Sequence, residues 1–75
     1  MEFGKAFGEV LRALREEKDK TQEWLAEKCN YDRVFISNLE RGVRLPSLRT
    51  VFRIAKALDC NASEIIKAVE SKDPE

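Results

Sequence analysis

Seventy-five residues, 43% hydrophobic and 37% charged, allow one small domain with a modest core and no further catalytic or effector-binding module. The formal net charge is zero, no apolar run approaches the roughly 18–20 residues of a membrane span, and no secretory pattern opens the chain, so no membrane role and a cytoplasmic location are expected. Histidine is absent, the two cysteines form no CxxC, no serine has a base partner, and carboxylates such as Glu16 and Glu17 read as a solvated face. An enzyme, a zinc site and a bound cofactor are therefore not expected.

Phe3, Phe7, Val10, Leu11 and Leu14 recur at helical spacing and predict a first amphipathic helix whose regular stripe ends at Arg15. Lys18-Asp19-Lys20 makes the connection that follows, with Asp19 suited to a turn. Thr21 is a good N-cap for a second helix, since its hydroxyl accepts from an unpaired first-turn amide. Leu25, Ala26 and Cys29 give that helix a narrow apolar stripe, and Ala26 lets another helix cross closely. Asn30 tolerates the left-handed conformation that stops it. Asp32 caps a third helix with Ile36 and Leu39 turned inward, and Gly42 lies just past its end, where a positive φ costs little. So short a connection forces a sharp corner, which predicts a helix-turn-helix.

What stays outward on the third helix is Arg33, Val34, Ser37, Asn38 and Arg41. Positions at i, i+1, i+4 and i+5 share a face that a DNA major groove accepts. Arginine bonds a guanine edge in two places, asparagine does the same for adenine, and Val34 suits a thymine methyl. The competing reading is an ordinary solvated helix face. Arg44, in the loop beyond Gly42, is placed to meet a phosphate or a minor-groove edge. Gln22 stands at the positive end of the second helix, which suits a phosphate. Together with the two caps, the candidate DNA-binding set is Thr21, Gln22, Asp32, Arg33, Val34, Ser37, Asn38, Arg41 and Arg44. Trp24 has two readings, packing against the first helix, which is favoured, or approach of its indole N–H to a phosphate. Phe35 has two readings, as a shield for the turn or as a surface pressed on the sugar–phosphate backbone.

Charge is unevenly spread along this neutral chain. Arg33, Arg41, Arg44, Arg49, Arg53 and Lys56 lie in one segment that contains a single acid, Glu40. Such an asymmetry suits a protein with one DNA-facing side, whose binding would fall steeply with salt.

Beyond the loop Val43-Arg44-Leu45-Pro46, Ser47 is the next N-cap, and Leu48, Val51, Ile54, Ala55 and Leu58 define a fourth helix. Asn61-Ala62-Ser63-Glu64 fits a capping box ahead of a fifth, with apolar Ile65, Ile66 and Val69. Cys29 and Cys60 occupy stripe positions and read as buried, reduced thiols. The expected domain is residues 1–70, followed by a flexible tail at 71–75. Two adjacent isoleucines cannot easily both face one small core, so Phe52, Ile66 and Val69 are expected to form a two-fold interface. One short recognition helix also reads too few bases for useful specificity, which favours a homodimer on a palindromic site.

The chain resembles the lambda-repressor-like helix-turn-helix family, the Cro/C1 or XRE type. The matching residues are Thr21-Gln22-Glu23 with Leu25-Ala26, then Ile36-Ser37, Glu40, Gly42, Pro46-Ser47-Leu48, and Ile54-Ala55 with Leu58. They run from about Phe7 to Val69. Asp32-Arg33-Val34-Phe35-Ile36-Ser37 with Glu40-Arg41-Gly42 is similar in particular to small controller proteins of restriction–modification systems. The resemblance implies an all-α, five-helix domain and a regulator that occupies operator DNA, repressing or activating by blocking or touching RNA polymerase in the nucleoid. It also implies a structural ion pair between Arg15 and Glu40, and a phosphate contact by Gln22. The chain departs from the family at Asp19 and Lys20, where relatives commonly place glycine and an apolar residue, and the corner there is expected to pack less tightly. A phage-type repressor is the runner-up within this class. An antitoxin-type protein-interaction module is the alternative outside it, and the lack of an extended wrapping segment disfavours it.

Overall fold

Five helices follow one another in the computed structural model, which describes residues 2–72: α1 (Glu2–Glu17), α2 (Gln22–Cys29), α3 (Arg33–Glu40), α4 (Leu48–Ala57) and α5 (Ala62–Lys72). No strand occurs among the described residues. None of these helices is long and apolar enough to cross a membrane.

Local chemistry sets the boundaries. The amide of Trp24 donates to Thr21 Oγ1 at 3.0 Å, that of Phe35 to Asp32 Oδ1 at 2.7 Å, and that of Thr50 to Ser47 Oγ at 3.1 Å. Each bond satisfies a first-turn donor that the helix itself leaves unpaired. At α5 the reciprocal half of the capping box forms, the Asn61 amide donating to Glu64 Oε1 at 2.8 Å. Asn30 stops α2 at φ 63° and Gly42 follows α3 at φ 78°, as their residue types predict. Asp19 makes its turn at φ 62°, and Asp59 makes another after α4 at φ 57°.

Phe7 and Leu11 of α1, Leu25 of α2, Ile36 and Leu39 of α3, Ile54 and Leu58 at α4, and Ile65 of α5 are the fully buried large side chains. They form one cluster, with α1 against α3 and α5, α2 against α3 and α4, and α4 against α5. Backbone meets backbone at Gly8. A Cβ there would fall on the Glu40 carbonyl oxygen and within 2.7 Å of that of Leu39, so α1 lies directly on the last turn of α3.

Four expectations change. Val69 is buried, because it follows Ile65 by four residues and shares its inward face, whereas Ile66 is 43% exposed. Leu48 is 66% exposed, because it stands one turn before Phe52 on the outer side of α4. Cys60 lies past the end of α4 and is half-buried, while Cys29 is in the core. Both thiols are free, and burial pushes both above the ordinary thiol range. Finally, α5 includes Ser71 and Lys72, which had been expected in the tail. Ser71 Oγ donates to the Lys67 carbonyl at 3.2 Å, and Lys72 Nζ lies 3.5 Å from Glu9 of α1. Residues 73–75 of that expected tail lie outside the described residues.

Candidate nucleic-acid interface

The outer face of α3 is open. Arg33, Val34 and Arg41 are exposed, and Ser37 and Asn38 are half-buried. Their inner neighbours Ile36 and Leu39 are fully buried, so the helix is held by one side only. Arg44 is exposed in the loop beyond, and Thr21 is exposed at the start of α2. The structure thus brings the nine candidate residues together along α3 and its two flanks.

Within this set the side chains are already ordered. Arg33 Nη1 donates to Gln22 Oε1 at 3.2 Å, and its Nε lies 3.9 Å from Glu23 Oε2. Arg41 Nη1 donates to Asn38 Oδ1 at 3.2 Å. Gln22 is expected to present its amide to a phosphate, and each end of that amide already makes one bond, which leaves the second Nε2–H to donate. Its Nε2 donates to Glu40 Oε1 at 3.0 Å while its oxygen accepts from Arg33. Gln22 therefore bridges the interior of the fold to the arginine at the head of α3. The side-chain oxygens of Thr21 and Asp32 likewise serve as caps.

Behind the face lies the ion pair of Arg15 and Glu40. Arg15 Nε donates to Glu40 Oε2 at 2.6 Å and Nη2 to Oε1 at 3.0 Å, a two-pronged arrangement. A third donor, Nη1, meets the Lys20 carbonyl at 2.7 Å. The side chains are only 11% and 3% exposed. Hydrogen bonding to Glu40 holds the Arg15 guanidinium above its usual range, against the opposing effect of burial.

The two aromatic residues left open by the sequence find distinct places. Trp24 is half-buried against the core, with Lys20 Nζ 4.7 Å and Lys28 Nζ 5.6 Å from its ring. Lys20 thus covers one face of the indole. Phe35 packs on Tyr31 at 4.7 Å between ring centroids, and Arg44 lies over its ring. Sequence reasoning missed Tyr31. The available signal was its place just before the Asp32 cap, from which a side chain commonly packs on the first turn of a helix.

On another side, Leu48, Phe52, Ala62 and Ile66 line an apolar groove between α4 and α5, flanked by Lys67 and Glu70. Leu48 and Phe52 are 66% and 58% exposed. Of the three residues expected to form an interface, Phe52 and Ile66 lie here and Val69 does not.

This geometry is matched in known proteins. The helix-turn-helix family profile aligns with residues 11–65. The chain is 38% identical over 61 residues to the control protein C.BamHI of Bacillus amyloliquefaciens, covering 80% of this chain and 75% of that one. It is 39% identical over 59 residues to the immunity repressor of Bacillus phage phi105, covering 79% of this chain but only 41% of that longer protein. Among solved structures, the tetramer of the restriction–modification controller protein C.Esp1396I in complex with its natural 35 base-pair operator superposes with a TM-score of 0.85. Identity there is 29%, over 97% of this chain and 94% of the other.

Proposed function

This chain belongs to the helix-turn-helix family of transcriptional regulators, and from that premise we propose that it binds palindromic operator DNA as a homodimer and controls transcription there. The observation that carries this reading is the open outer face of α3, where Arg33, Val34, Ser37, Asn38 and Arg41 are offered by a helix whose other side is buried. Its position between Gln22 and Arg44 supports contacts along a groove and its two phosphate walls. The chemistry is binding alone, with no catalytic step. Control follows from blocking or touching RNA polymerase, in the cytoplasm at the nucleoid.

A controller protein of a restriction–modification system is the nearest model for its role. The match over most of the length of C.BamHI supports it, as does the likeness to a controller protein solved on its operator. A phage-type repressor remains the second reading because of the immunity repressor of phi105. The apolar groove of Leu48, Phe52 and Ile66 is the proposed dimer face, since large exposed apolar side chains gathered on one side mark an interaction surface. Selecting bound sequences from random duplex DNA tests both parts. A palindrome with half-sites about one helical turn, near 34 Å, apart is expected. Recovery of no palindrome would remove the dimer and the base-reading roles together.

A further inference from the structure

Four side chains, that of Phe35 on the recognition helix itself and those of Arg44, Tyr31 and Arg53 outside it, are linked pair by pair. The Arg44 guanidinium carbon lies 5.3 Å from the centre of the Phe35 ring, Phe35 packs on Tyr31 at 4.7 Å, and the Arg53 guanidinium carbon lies 5.4 Å from the centre of the Tyr31 ring. The set is anchored through Tyr31, whose hydroxyl is 2.8 Å from Thr50 Oγ1. Thr50 is in turn bonded through its amide and hydroxyl to Ser47, the cap of α4. Both rings are half-buried and pack on the core, whereas Arg44 is an exposed loop residue. Among the described residues neither Arg44 nor Arg53 takes part in an ion pair.

We infer that Phe35, backed by Tyr31, is a positioning residue that presets the Arg44 guanidinium for a DNA phosphate; this rests on the DNA-binding reading above. The ring holds the guanidinium over its face without using any of its N–H donors, which stay available for phosphate oxygens. An arginine waiting in a loop would otherwise lose much of its rotamer freedom on binding. Phe35 is thereby neither a mere shield for the turn nor a direct DNA contact.

The test measures equilibrium binding of the full chain to a random-sequence duplex across a series of salt concentrations, because phosphate contacts are read without sequence. Arg44→Ala should weaken binding and lower the salt slope by about 0.9, the loss of one phosphate contact. Phe35→Leu, which keeps apolar bulk, should weaken binding about three- to five-fold, the scale of one exposed cation–π contact. Phe35→Tyr should bind as wild type. In the Arg44→Ala background, Phe35→Leu should cost nothing further, a coupling that a purely structural role does not produce. Arg44→Lys covers the case in which Phe35→Leu does not fold. It alters only an exposed side chain and keeps the charge, but lacks the planar face, and should also bind several-fold more weakly. Independent losses in the double variant, or wild-type binding by Arg44→Lys, would overturn the inference while leaving the DNA-binding reading intact. A wild-type chain that binds no duplex would overturn both.

Discussion

The two sides of α3 share eight residues and little else. The inner side meets Gly8 of α1 at backbone contact, buries Ile36 and Leu39 completely, and ends on Glu40, whose carboxylate takes two donors from Arg15 and one from Gln22. The outer side is held by contacts among exposed or half-buried groups, Arg33 to Gln22 and Glu23 and Arg41 to Asn38. Such contacts exchange readily for new partners, whereas the inner ones are made once, on folding. A helix that must present itself to a groove needs this division: one side fixes where it stands, and the other is free to read.

Breaking the inner side should therefore be the most costly change. Glu40→Ala strands the Arg15 guanidinium in a site where its side chain is 11% exposed, and should destabilise the fold by about 3–5 kcal/mol. A chain of this size has about 4–11 kcal/mol to lose, so chemical denaturation should find the variant close to unfolded. Replacing Arg15 and Glu40 together by apolar residues of similar bulk should cost much less, since no charge is left without a partner. A double variant as unstable as Glu40→Ala would mean that the ion pair itself, and not the penalty of an orphan, holds α3.

Gly8→Ala probes the same seam without charge. In an exposed helix the change would gain up to about 1 kcal/mol of propensity. Here the added methyl meets two backbone carbonyls that cannot rotate away, so overpacking of about 1–3 kcal/mol should win and the melting temperature should fall. On the outer side the expectation reverses. Arg33→Ala should leave stability within about 0.5 kcal/mol of wild type, yet cost about 1–3 kcal/mol of discrimination at one base pair of the selected site. If melting shifts as far as for Gly8→Ala, the two sides of α3 are not separable.

What the sequence discloses follows from the range of the interactions involved. The caps Thr21, Asp32 and Ser47 each act within three residues, and the stops at Asn30 and Gly42 depend on their own backbones, so the boundaries were legible from local chemistry. The outward face of α3 was legible too, as the complement of Ile36 and Leu39. Arg15 and Glu40 are 25 residues apart, and only resemblance to a family paired them. The double engagement of Gln22 was hidden for the same reason, since its partners lie 18 and 11 residues away. Gly8 carries no side chain whose pattern could announce the approach of α3. Val69 and Ile66 were both apolar, and the phase of α5 separated them only once Ile65 was seen to face inward.

The smallest expected effect sets the scale for the rest. Arg12 stands three residues before Arg15 on α1 and also pairs with a glutamate, Glu16 at 3.3 Å. Its side chain is 66% exposed and that of Glu16 57%, so water already solvates both charges and screens their attraction. An exposed pair one helical turn apart is worth about 0.3–0.5 kcal/mol, and alanine, the best helix former, offsets part of that loss. Arg12→Ala should therefore leave the denaturation midpoint almost unchanged. Arg15→Ala, one turn along the same helix, should move it by an amount close to that of Glu40→Ala, because Glu40 is then the stranded charge. Equal effects at the two arginines would show that burial against α3 is not what makes the second one matter.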